Sequence, residues 1–433
     1  MTHTEFIYLT TAEAQQRLVD NLHIDPTVFA LKQRENPSKT AILATQLKYL
    51  QRSHVKLPTF YAAKAIIPPL AFEQCSSEIA ASAKVFSGNK CLDLTCGLGV
   101  DTLHFSKCFQ QVIAIEQNEV LAAVAQYNFE LMKIHNIKII NTTAEAFIKH
   151  FVENQIKDTP ETGNNFPFDL IYIDPARRNE QGKKIFLPED CEPNIGVLMP
   201  LLKILGRTIM VKMSPLYDVD AALRQFPEVT KIGVLSIDNE CKETYLIFEN
   251  KTVENPSLEL KIYTNNLFFI FENKIPFKHI SNNNNVQNTD NTWIIDNEIN
   301  YLSKKYIIEP NVAFYKARLL TAIPPQYKDD FEDNLAILTA SNGFILSEKM
   351  IDKLPARTFK IIKTFEYQPK KLIPFLKTEN ITHIHIVQRN FPFSVADIRK
   401  KLHVKEGGDL FLICTLINDV KIVWLCEKVK ALL

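Results

Sequence analysis

No stretch of about 18 uncharged apolar residues occurs in the 433-residue chain, so it offers no candidate membrane-spanning helix. Met1 to Thr10 lack the basic region and apolar run of a secretory leader, and a cytoplasmic protein is expected. Eight cysteines (Cys75, Cys91, Cys96, Cys108, Cys191, Cys241, Cys414 and Cys426) form no Cys-x-x-Cys pair, and no histidine cluster stands at ligand spacing. Neither a disulfide framework nor a zinc site is indicated, and no metal is expected. A net charge of +1 excludes a uniformly basic nucleic-acid glove, although a balanced total hides local patches. No repeat of solenoid period and no coiled-coil heptads are present.

What is present is an ordinary folded composition, 46% hydrophobic and 23% charged, in a chain long enough for two or three cores. The first seventy or so residues read as helical. Ser38 is placed to cap a helix through Ile42, Leu43, Leu47 and Leu50. From Lys90 onward short β-rich runs alternate with helical ones: Cys91 to Leu94, Val112 to Ile115, Ile137 to Ile140, Leu170 to Ile173 and Thr208 to Val211. That alternation predicts an α/β fold with a parallel, doubly wound sheet. Ile232 to Ile237 and Thr244 to Phe248 leave no room for a crossover helix and are expected to pair as a hairpin.

The cofactor signal lies in Cys91-Leu-Asp-Leu-Thr-Cys-Gly-Leu-Gly-Val-Asp101, an apolar strand leading into a small-residue loop. A dinucleotide fingerprint would place a third glycine where Thr102 stands. Asp93 and Asp101 would repel a pyrophosphate and suit a cationic ligand such as S-adenosylmethionine, with Cys96, Gly97 and Gly99 offering backbone groups. Glu116, 17 residues after Gly99 at the end of the next strand, is the expected ribose-diol acceptor, with Gln117 beside it. Thr143 and Ala144 follow the third strand, where an adenine edge is read.

Leu170-Ile-Tyr-Ile-Asp174-Pro175-Ala176-Arg177-Arg178 places Asp174 at the carboxyl end of the fourth strand, beside the crevice where open α/β sheets bind ligands. Pro175 fixes the backbone, leaving acceptors for an N–H nucleophile. Methylases of exocyclic amines carry a second proline and an aromatic here; Ala176 and Arg177 stand in their place. Arg177 and Arg178 are candidates for binding substrate phosphate. Covalent catalysis at pyrimidine carbon 5 would need a cysteine nucleophile, for which Cys191 is the downstream candidate. Lys212, at a strand end, is placed where it could touch substrate or cofactor, yet strand-end lysines are more often solvated.

On these motifs, Gln74 to about Asn250 resembles the class I S-adenosylmethionine-dependent methyltransferases, and the loop is similar to that of RNA-cap trimethylguanosine synthases. The resemblance implies a Rossmann-like seven-stranded sheet, with Gln74, Ser76 and Ser77 folding over the methionine end of the cofactor. Lys360 to Leu433 resembles THUMP-like domains in Gln388-Arg-Asn-Phe-Pro392, Ile398-Arg-Lys-Lys-Leu402 and Lys405-Glu-Gly-Gly408. Phe268 to Ala322 looks like the small linker domain that accompanies them. The implied division is a helical region at 1–73, the methyltransferase domain at 74–252, a ferredoxin-like linker domain at 253–325 and an α+β THUMP-like module at 326–433.

Ser281 to Asn291, with four consecutive asparagines, reads as an exposed linker. Between Arg357 and Lys405, eleven Lys or Arg residues face three acids, interleaved with Phe359, Phe365, Tyr367, Phe375, Phe391 and Phe393. That composition suits phosphate contact and base stacking, so tRNA or rRNA is the expected partner. Other readings stay open: an RNA-binding protein without catalysis, a methyltransferase of a small molecule or protein, and a nicotinamide oxidoreductase.

Overall fold

The computed structural model describes residues 1–32, 36–155, 166–176, 191–250, 256–264, 266–273, 304–317, 337–338, 343–351, 354–417 and 419–429. Arg177, Arg178 and the Ser281–Asn291 linker lie outside the described residues. The chain divides into two compact units: Met1–Tyr217 with Ala222–Ile232 and Glu243–Glu254, and Asp218–Ala221 with Gly233–Lys242 and Asn255–Leu433. Among the described residues no helix is long and apolar enough to cross a membrane.

The first sheet is built from β1 (Gly88–Asp93), β2 (Phe109–Glu116), β3 (Ile137–Asn141), β4 (Phe168–Ile173) and β5 (Gly206–Met213), all paired in parallel. β4 and the second half of β5 are almost wholly buried, as strands covered on both faces must be, and their sequences are correspondingly near-continuous apolar runs. β6 (Lys231–Ile237) and β7 (Glu240–Glu249) form the expected hairpin. Its two-residue turn, Asp238 and Asn239, has φ of 48° and 64°, the left-handed pair that matches strand twist. β7 inserts antiparallel to β5, from Thr208 opposite Glu249 to Met213 opposite Thr244.

β8 (Ser257–Thr264) and β9 (Leu267–Asn273) form a further antiparallel hairpin. The strand order is β3-β2-β1-β4-β5-β7-β6-β8-β9. The sheet therefore has nine strands where seven were expected. The shift in composition after Asn250 had concealed that β8 continues the hydrogen-bonded ladder. Order reverses between β1 and β4, so the crevice at their carboxyl ends is the natural ligand site.

The amino-terminal helices bury one face against the helix Glu119–Leu131. Leu43, Leu47, Leu50, Phe60 and Phe72 share a core with Val124, Ala125 and Phe129. The helix Pro37–Lys56 is capped by Asn36, which accepts from the Lys39 amide at 3.2 Å. Ser38 is not the cap, because Pro37 takes the first helical position, where its fixed φ is preorganised, and the cap falls one residue before it. Among the described residues the buried strap Ala65–Ile67 pairs with no strand, and two buried amides serve its backbone instead. Asn128 bonds both the N–H (2.8 Å) and the carbonyl (2.9 Å) of Ile66, while Gln46 bonds the Ala65 carbonyl and the Ile67 N–H. The strap leads into the helix Pro69–Gln74 and so fixes the segment that overhangs the crevice.

The second unit holds another sheet: β10 (Tyr306–Pro310), β11 (Ile337–Leu338), β12 (Ile345–Ser347), β13 (Ala356–Glu366), β14 (His385–Gln388), β15 (Leu410–Ile417) and β16 (Val420–Lys428), ordered β11-β12-β10-β13-β16-β15-β14. Helices Pro369–Thr378 and Val395–Leu402 cover it through Leu372, Leu376, Ile398 and Leu402. Phe359 is fully buried, and Phe365, Phe375, Phe391 and Phe393, partly buried, pack on that core, so these rings contribute to packing.

Candidate functional site

A cavity of about 900 Å³ opens at the carboxyl ends of β1, β2 and β4, lined by the glycine loop, Glu116, Thr143, Asp174 and the overhanging Gln74 to Ser76. The loop's shape requires its glycines. Gly97 and Gly99 have φ of 58° and 86°, and a Cβ on Gly99 would meet the Phe129 ring at 2.5 Å. Glu116 holds the loop from β2: its carboxylate accepts from the Gly97 N–H and the Asn118 N–H, each at 2.8 Å. Burial pushes its pKa up. Asn141, at the end of β3, donates to the Glu116 and Gln117 carbonyls and ties the two strand ends together. Sequence reasoning missed Asn141.

Asp93 is fully buried and does not line the cavity. Its carboxylate accepts from the Thr95 N–H at 2.9 Å and from Thr102 Oγ1 at 2.6 Å, latching both ends of the loop. This replaces the expected direct contact with a cationic ligand, because the strand end points into the protein. Thr102, noted in the sequence for the glycine it replaces, supplies that latch. Ser77 is likewise spent inside the fold: it caps the helix Glu78–Ser82 by accepting from the Ala80 N–H at 3.1 Å. Gln74, Ser76, Cys96, Gly97, Gly99, Asp101, Glu116, Gln117, Thr143, Ala144, Asp174 and Pro175 all reach the cavity.

At the reaction end the structure departs from the sequence expectation. Asp101 is not an open carboxylate. It pairs with Lys84 Nζ at 2.9 Å and accepts from Ser76 Oγ and the Tyr172 hydroxyl, each at 3.0 Å. Burial works to raise its pKa, but the ammonium groups of Lys84 and Lys212 prevail and hold it near 2. Lys84 also meets Glu243 at 2.9 Å. Lys212, expected to be solvated, is buried at the end of β5: its Nζ lies 2.6 Å from Asp174 Oδ2, 3.0 Å from Ser76 Oγ and 3.6 Å from Glu243. Burial opposes charge on both lysines, yet the surrounding carboxylates outweigh it and raise both pKa values. Five charged groups therefore share one site, two ammoniums and three carboxylates, leaving one net negative charge.

Asp174 is also positioned through its backbone, whose N–H donates to Thr95 Oγ1 at 2.7 Å and so joins the β4 loop to the glycine loop. Ala176 pairs with Glu192 in an antiparallel bridge, its N–H reaching the Glu192 carbonyl at 2.7 Å. Cys191 is buried and outside the cavity lining. Among the described residues no group of three or more His, Cys, Asp or Glu is arranged to hold a metal.

Residues 72–185 match the family model for tRNA (uracil-5-)-methyltransferase, and residues 356–428 match the THUMP domain-like model. A tRNA/tmRNA (uracil-C(5))-methyltransferase of Neisseria meningitidis serogroup B is 32% identical over 152 residues, 32% of this chain and 40% of the relative. One from Acinetobacter baylyi is 30% identical over 169 residues, 36% of this chain and 45% of the relative. The chain thus spans less than half the length of these curated relatives. The crystal structure of a methyltransferase-like protein from Porphyromonas gingivalis W83 aligns over 99% of this chain and 100% of its own, at 23% identity and a TM-score of 0.75, which shows a shared fold. The resemblance drawn from the motifs is borne out: the fold is that of an S-adenosylmethionine-dependent methyltransferase carrying a THUMP-like domain.

Proposed function

We infer that this chain is a cytoplasmic S-adenosylmethionine-dependent methyltransferase acting on tRNA or rRNA, with a helical region at 1–73 ahead of the methyltransferase domain; because β8 and β9 join the first sheet and β10 the second, no separate domain is proposed over 253–325. One observation carries it: a single cavity holds a glycine-cradled loop, a ribose-type carboxylate at Glu116 and a strand-end carboxylate at Asp174. The residues fit the cofactor. Its sulfonium, ammonium and carboxylate sum to one positive charge, against one net negative charge in the buried cluster. Glu116 keeps acceptor capacity for a ribose diol beside its two backbone bonds. When bound, the cofactor supplies an activated methyl group.

The protein's part is alignment and proton handling. Gln74 to Ser76 close over the cavity, Thr95 and Lys212 fix Asp174, and Asp174 faces the acceptor. RNA is favoured by the carboxyl-terminal module, where Lys360, Lys363, Lys370, Lys371, Lys377, Lys400, Lys401 and Lys405 are exposed or half-buried. The arginines there are committed internally: Arg357 and Arg389 to buried Glu309, and Arg399 to Glu406. Contact with RNA is then through lysine and phosphate. The names of the curated relatives point the same way, toward tRNA and tmRNA.

Calorimetric titration with S-adenosylhomocysteine, and separately with NAD, tests the reading. Saturable binding of the former is expected. Glu116→Ala should weaken it roughly 10- to 150-fold, since charge-assisted hydrogen bonds are worth about 1.5 to 3 kcal/mol. Binding of NAD alone, or of neither, would sink it.

A further inference from the structure

The acceptor atom is the question the site answers most sharply. Methylation at uracil carbon 5, the position in the relatives' names, needs a thiolate to add to the ring and make that carbon nucleophilic. All eight cysteines are described. Two line the cavity. Cys75 donates to the Phe72 carbonyl at 3.3 Å, and Cys96 sits against Thr102 Oγ1 at 3.5 Å behind the glycine loop. Burial pushes the first thiol up to about 11 and the second well above its ordinary value, so both stay protonated.

An exocyclic amine is also a poor fit. A neutral amine gains positive charge as it attacks, and a buried ammonium 2.6 Å from Asp174 opposes that charge. The carbonyl of Ala176, a backbone acceptor close to Asp174 in sequence, already accepts from the Glu192 N–H at 3.4 Å. A hydroxyl has the opposite need. It must shed its proton as the new bond forms, so negative charge develops on oxygen beside a carboxylate that accepts the proton and an ammonium that offsets the charge.

We propose that the acceptor is a hydroxyl oxygen, the ribose 2′-hydroxyl of RNA, engaged by Asp174 with Lys212 as its positioning residue, an inference that rests on the RNA methyltransferase reading above. Lys212 binds one oxygen of Asp174 and leaves the carboxylate a second oxygen for the substrate. Glu243 and Ser76 hold the ammonium in place from the other side, and Lys84 anchors Glu243 in turn. In the step itself the oxygen forms a bond to the methyl carbon and the carbon–sulfur bond breaks with its electron pair to sulfur. The hydroxyl proton passes to Asp174 and on to solvent, so a neutral ether and a neutral thioether result.

The test uses the full chain, methyl-labelled cofactor and RNA from a strain deleted for its gene. A 2′-O-methyl group blocks alkaline cleavage at its own linkage, so label is expected in alkali-stable dinucleotides. Asp174→Asn should lower incorporation more than about 100-fold while S-adenosylhomocysteine binds within about threefold of normal. Lys212→Arg should retain part of the activity and shift its pH profile, which a merely structural lysine would not do. A second readout needs no turnover: RNA containing 5-fluorouridine traps cysteine-using enzymes as adducts on denaturing gels, and none is expected. Label in mononucleotides, or an adduct, would overturn the hydroxyl assignment while leaving RNA methylation standing. No label in any RNA despite cofactor binding would remove the RNA reading and this inference with it.

Discussion

Asp93 shows how one residue type serves different ends in one loop. Burial pushes its pKa up to about 7 from an ordinary 3.8, against the pull of its bonds from Thr102 and Thr95. In the fold it therefore keeps a proton that the unfolded chain releases. The stability tied to that proton is complete below about pH 4 and is lost as the pH rises through 7. Asp101, held near 2, has the opposite sign: its contribution is present above 3.8 and is lost as the pH falls toward 2. Asp93→Asn should consequently gain on the parent chain as pH rises from 4 to 8, by on the order of 4 kcal/mol. Denaturant titrations of both proteins at several pH values would check it, and parallel pH profiles would refute it.

At the scale of elements, the strap at Ala65–Ile67 matters more than its length implies. It is an extended segment buried among helices; the Ala65 N–H bonds the Phe60 carbonyl, and the Ala65 carbonyl, both Ile66 groups and the Ile67 N–H are satisfied because Asn128 and Gln46 reach them. Asn128→Ala would leave the Ile66 N–H and carbonyl without these bonds, at a cost of about 3 kcal/mol. The strap leads to Gln74, Cys75 and Ser76, so affinity for S-adenosylhomocysteine should fall several-fold as well. A stability loss with unchanged affinity would show that the overhanging segment is set by something else. The parallel strands were legible because each is a short apolar run bounded by turn residues. The extension by β8 and β9 was not, since membership of a sheet is a matter of hydrogen-bond partners.

Across the whole molecule, the chain's charge of +1 conceals the lysines on the surface of the carboxyl-terminal module. With those lysines exposed, binding of RNA there should have a large electrostatic component. The logarithm of the binding constant should fall linearly with the logarithm of salt concentration. Replacing Lys363, Lys371 and Lys400 by alanine in the full chain should flatten that slope by roughly 0.7 to 0.9 for each phosphate no longer neutralised. An unchanged slope would move the RNA surface elsewhere.

The sequence by itself determined what depends on neighbours along the chain: the strand–loop–helix at Cys91 to Asp101, the acid ending β2, the acid and proline ending β4, and the hairpin of β6 and β7. Each is a local pattern in which backbone geometry selects the residue. Only the tertiary structure decided which charges meet. Ser76 and Lys212 stand 136 residues apart, and Ser76 and Glu243 are separated by 167, yet they share one buried cluster with Lys84, Asp101 and Asp174. A lysine at a strand end carries no mark of burial in its own sequence. It can be buried with its charge only where distant carboxylates converge on it, and that convergence is a property of the fold.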